Sequence, residues 1–193
     1  VNRKDPAAEA ALRAALAARE RAAREFPDVL EFRVRLGGST HNLGRWLHNQ
    51  NRTDEALATF QQAKAITGAA LERAPQSGMA LDFFGKHLEM IGYCHSIKQD
   101  PAGLAATARE LAAVPSKDPT RPLRVADFLL RSWHFDGKTN PALLDEAMVQ
   151  LGVAEQRGLT ARQLPTKGFE ALEGRDDYAQ WRERVGRVAP PAK

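Results

Sequence analysis

Residues 28–73 hold two apolar stripes at helical spacing, divided by the polar run Asn49-Gln50-Asn51-Arg52-Thr53. In the first stripe Phe32, Leu36, Leu43 and Leu47 share one face. Gly44, beside Leu43, offers a place without a side chain where a second helix can come close. In the second stripe Ala56, Phe60, Ala63 and Thr67 recur every three or four residues, small side chains around one large ring. The two asparagines suit a turn. Asp54 and Glu55 put negative charge at the positive end of the second helix dipole. Two amphipathic helices joined by so short a turn cannot cover both stripes, so the pair has to stack on further helices.

The rest of the chain repeats or caps that pair. Asp5-Pro6 reads as an N-cap and first-turn proline, opening a helix over 6–26 with Leu12, Leu16, Ala23 and Phe26 on its apolar side. Asp28 is expected to cap the first helix of the central hairpin, 28–73. A second hairpin is expected over 79–114, with Leu81, Phe84, Leu88, Ile91 and His95 on its first helix and an Asp100-Pro101 start to its second. A third covers 123–157, with Asn140-Pro141 starting its second helix in the same way. The segment 160–187 is expected to cover the last open apolar face, with a Thr160/Gln163 capping box and a final helix capped by Asp176. Val188 to Lys193 is expected to fray. The expected fold is all-α: a solenoid of about three hairpins, with an N-terminal helix and C-terminal capping helices, as one domain over 1–193.

These residues carry a family resemblance. Leu43, Gly44, Leu47, Ala56, Phe60 and Ala63 match the spacing of a tetratricopeptide repeat, with Thr40 where Trp is usual and Leu47 where Tyr is usual. Phe26-Pro27-Asp28-Val29, Glu31-Phe32-Arg33 and His41-Asn42-Leu43-Gly44 resemble the FPD-x-x-EYR … NNLG repeats in the C-terminal regions of bacterial, mainly planctomycete, serine/threonine kinases. The run from Phe169 through Gly174-Arg175 to Tyr178 and Trp181 resembles the ending of the same proteins. The resemblance implies a protein-binding scaffold belonging to a larger signalling protein. Consistent with that, the chain begins at Val1 and is expected to be a fragment or tail, cytoplasmic by default.

Composition narrows the function classes. Net charge is +4, but acids and bases are interspersed, as in Arg19-Glu20-Arg21 and Arg24-Glu25, so no nucleic-acid-binding stripe is expected. No run is long enough to cross a bilayer. Cys94 is alone, which rules out an intrachain disulfide; it reads as a small buried hydrophobe in a reducing compartment. Gly137-Lys138-Thr139 resembles the end of a phosphate-binding loop, but Ser132 stands where its first Gly is needed, so it reads as a turn. His41 and His48, and His87 and His95, lack a metal-binding arrangement and read as groove or core histidines. Asp145-Glu146 and Asp176-Asp177 are explained by helix dipoles. No catalytic motif and no kinase signature occurs, so neither enzyme chemistry nor a metal or cofactor is expected.

In stacked hairpins the first helices line the concave side. The candidates for partner contact are His41, Arg45, His48 and Asn49, then Lys86, Glu89 and Tyr93, then Arg124, Asp127 and Arg131. Asn and basic groups there suit a peptide backbone or a carboxylate. The expected partner is a protein or peptide; the alternative is a structural or self-association spacer. A helical enzyme site would need a pocket of perturbed ionisable groups.

Overall fold

The computed structural model describes residues 6–165 and 167–187. Asp5 and the expected frayed end, 188–193, lie outside the described residues. Among those residues the chain is helical, without strands: α1 (Pro6–Glu25), α2 (Leu30–Asn49), α3 (Thr53–Arg73), α4 (Gly78–Ile97), α5 (Pro101–Ala113), α6 (Thr120–Phe135), α7 (Ala142–Gln156) and α8 (Asp176–Arg187), with 3-10 turns at Ala161–Gln163 and Glu170–Leu172. The chain parts into two compact units, residues 1–97 and 98–193. Of the expected hairpin 79–114, α4 therefore belongs to the first unit and α5 to the second.

In the first unit α1 packs on α2, α2 on α3 and α3 on α4, and α2 also lies against α4. The expected stripes make the core: Leu43, Leu47, Ala56, Phe60, Ile91 and Cys94 form one buried cluster, with Leu12 and Leu16 of α1 against it. Gly44 sets the spacing. A Cβ built there would lie 2.7 Å from the Phe60 ring, so the ring fills the place a side chain would need. Phe60 is 0% exposed, and full burial of a Phe side chain is worth roughly 1.5–3 kcal/mol.

In the second unit α5 packs on α6, α6 on α7 and α7 on α8. Trp181 of α8 is buried and donates its indole N–H to the Leu151 carbonyl at 2.9 Å, so α8 does cover α7. Arg109–Glu146, Arg175–Asp145 and Arg184–Glu155 add surface ion pairs between segments of this unit.

Several local expectations hold and several do not. Asp100 caps α5 by accepting from Gly103 N–H at 2.9 Å. Gln163 accepts from Thr160 N–H at 2.9 Å, as a capping box requires. Asp28 does not cap α2. The cap position falls to Val29, without a side-chain bond, and the Asp28 carboxylate faces the Arg73 guanidinium at 3.3 Å. Asn140 does not cap α7 either; the cap position is Pro141. The helix expected from Leu123 begins at Thr120, because Pro122 fits its first turn, where no backbone N–H is needed. Asp176 is the first helical residue of α8.

Candidate functional site

Three glycines make one side of α2 thin. A Cβ at Gly37 would meet Thr67, at Gly38 the Phe83 ring, and at Gly44 the Phe60 ring. α2 therefore lies close against α3 and α4, and polar side chains from all three helices meet in the space between. His41 Nδ1 of α2 lies 3.0 Å from His87 Nδ1 of α4. His87 Nε2 lies 3.0 Å from Thr67 Oγ1 of α3. His87 and Thr67 are fully buried and His41 is 8% exposed. Phe60 lies 5.2 Å from the His41 ring, and Phe83 stacks on His87 at 6.1 Å.

A hydrogen bond between two imidazoles needs one donor and one acceptor nitrogen, so at least one ring must be neutral, and at neutral pH both are. Burial enforces this. It lowers His41 to about 4, helped by the nearby positive charges of Arg45 and Lys86. It lowers His87 to about 3, helped by His41. The chain can then run in two directions. Either Thr67 O–H donates inward to His87 Nε2 and His87 Nδ1–H donates to His41 Nδ1, leaving His41 with Nε2–H. Or His41 Nδ1–H donates to His87 Nδ1 and His87 Nε2–H donates to Thr67, leaving His41 Nε2 bare.

The first unit brings some of the expected contact residues together. Arg45 is exposed, one turn along α2 from His41, and makes no ion pair among the described residues. Lys86 is exposed, 2.6 Å from the Asp82 carboxylate and 5.7 Å from the Phe83 ring centroid. His41 is a core residue at the edge of this face rather than a solvated one. His48 is half-buried, and its Nδ1 is sealed from solvent without a hydrogen bond. Asn49 ends α2, exposed. Glu89 and Tyr93 are half-buried on α4.

In the second unit Arg124 and Asp127 are half-buried and Arg131 is exposed on α6. Arg131 Nε reaches both Asp127 oxygens, at 3.0 and 2.9 Å. This pair edges a cleft of about 580 Å³ whose walls include Trp133, Lys138, Gly168 and Glu170. Lys138 lies 5.5 Å from the Trp133 ring centroid. Gly137 and Lys138 take positive φ, 68° and 65°, and their N–H groups return to the carbonyls of His134 and Trp133. The Gly-Lys-Thr run is thus a turn that closes α6.

Sequence reasoning placed Thr67 on a core stripe but did not join His41 to His87 or find Phe83. The available signal was the buried face Ala80, His87, Ile91 and Cys94 at helical spacing, which sets His87 among core residues. Among the described residues no group of three or more His, Cys, Asp and Glu could hold a metal ion. None of the described helices is long and apolar enough to cross a membrane. No family model, curated protein or solved structure matches the chain.

Proposed function

We propose that this chain is a tetratricopeptide-like scaffold that binds a protein or peptide by groove recognition, without covalent chemistry of its own, as the tail of a larger signalling protein such as a serine/threonine kinase. One observation carries the reading. α2 and α4 lie side by side, both against α3, and the exposed Arg45 and Lys86 both bear electrostatically on His41. That is the arrangement of neighbouring first helices in a helical-repeat groove. The FPD and HNLG runs support the kinase connection, and the sequence encoded upstream of Val1 tests it.

The groove is tested on a peptide array probed with the whole chain. Peptides that bind should lose about tenfold in affinity on Arg45→Glu, the cost of replacing one charge-assisted contact by repulsion. Arg131→Glu tests the equivalent face of α6. Binding indifferent to both reversals refutes the groove.

A second reading, self-association, is favoured by Phe26, Val29 and Met79, which are 51%, 43% and 46% exposed near the ends of α1, α2 and α4. A mass that rises with concentration in sedimentation, and falls back on Phe26→Ser, would support it.

A further inference from the structure

His41 Nε2 is the one polar atom by which the buried chain opens to the surface. It makes no hydrogen bond among the described residues and is not sealed from solvent. One helical turn further along α2 stands Arg45, exposed and without an ion pair among the described residues. On α4 Lys86 carries a charge that bears on His41 and is itself bonded to the Asp82 carboxylate; from α3 the Thr67 hydroxyl meets His87 and the Phe60 ring lies against His41. The interior is fixed at 3.0 Å steps, yet its two hydrogen-bond directions differ only in where protons sit. One direction offers His41 Nε2–H outward as a donor; the other offers a lone pair.

We infer that this face binds the oxyanion of an acidic peptide segment between Arg45 and His41 Nε2–H, and that binding fixes the chain in the direction Thr67 to His87 to His41. An oxyanion accepts hydrogen bonds and cannot donate one, so it selects the donor form of His41 Nε2. That choice makes His87 donate through Nδ1 and leaves its Nε2 to accept from Thr67. No proton is gained or lost; each of two imidazoles moves its proton from one ring nitrogen to the other. A surface event is thereby registered at a fully buried hydroxyl on a third helix. The inference rests on the peptide-binding reading of the same face.

The test is nitrogen-15 NMR of the histidine rings in the full chain at neutral pH, titrated with a hexaglutamate peptide and, separately, with inorganic phosphate. On peptide saturation the His87 signals should shift to the Nδ1–H form. Arg45→Gln should weaken binding about tenfold, as for loss of one bond between charged groups. Thr67→Val, which does not touch the peptide, should weaken it about threefold by removing the inner donor, while Thr67→Ser keeps wild-type affinity. The Ser variant separates loss of the donor from loss of fold. A His87 shift with phosphate but not with peptide overturns the peptide as occupant and assigns the site to a free anion. No His87 shift at saturation, or affinity unchanged in Arg45→Gln, overturns the inference. Array peptides that bind independently of Arg45 refute this site while leaving the peptide-binding reading intact. Arrays silent throughout, with a phosphate-driven His87 shift, do the reverse.

Discussion

Gly44→Ala sets two known effects against each other, and the structure says which wins. In a helix interior Ala is favoured over Gly by about 1 kcal/mol. Position 44 lies well inside α2, so that gain is available. The new methyl, however, would lie 2.7, 2.9 and 3.1 Å from three atoms of the Phe60 ring. Phe60 is 0% exposed and has the His41 ring 5.2 Å away on one side, so it has nowhere to retreat. Overpacking of this kind costs about 1–3 kcal/mol. The net expectation is a loss of up to about 2 kcal/mol, the difference between those two effects. Gly68→Ala, on α3 of the same unit, is the control. Its nearest neighbour is one Phe84 atom at 3.4 Å, an ordinary contact, so propensity should prevail and stabilise the fold by about 1 kcal/mol. Both are read from urea unfolding followed by circular dichroism, with the midpoint compared at constant slope. Repeating Gly44→Ala in a Phe60→Leu background removes the far ring atoms, and the loss should vanish. If Gly44→Ala stabilises as Gly68→Ala does, or if Phe60→Leu leaves its effect unchanged, the account of why α2 carries a glycine there is wrong.

Phe60→Ala should cost about 3–5 kcal/mol in the same assay, since the ring fills the centre of a closed cluster and leaves a cavity. Acid should destabilise the first unit: His41 and His87 titrate near 6.5 when unfolded but near 4 and 3 when folded, so the unfolded chain takes up protons first as pH falls below about 6.5. The loss between pH 7 and 4 should be on the order of 3 kcal/mol per imidazole, and His87→Gln should flatten the slope of stability against pH; an unchanged slope counts against a neutral buried pair. Trp181→Phe keeps most of the apolar contact of α8 but removes the indole bond to the Leu151 carbonyl, which keeps its place in the α7 backbone ladder, and should cost about 0.5–1.5 kcal/mol in thermal melts; a change within error would mean water replaces the bond.

Helix content and most core positions were legible in the chain because they depend on local periodicity, whereas the pairing expected over 79–114 was not, since α4 and α5 fall in different units. Leu43, Leu47 and Phe60 announce their burial by spacing alone, and a capped proline start such as Asp100-Pro101 is a local signal with a local outcome. One expected cap meets a long-range partner instead. Asp28 lies next to α2 in sequence, but Arg73, distant in sequence, takes its carboxylate. The candidate face was legible only in part. Arg45 and Lys86 could be named as outward positions of two helices, but nothing local says that both charges bear on one buried imidazole.

The sequence by itself determined that this is a chain of amphipathic helices with small residues where others press in, because a period of 3.6 and a missing Cβ are properties of the chain alone. Only the tertiary structure decided that His41 of α2, Thr67 of α3 and His87 of α4 meet in one hydrogen-bonded line. That meeting depends on the depth to which three separate helices approach, and the depth is set by glycines and rings far apart in sequence.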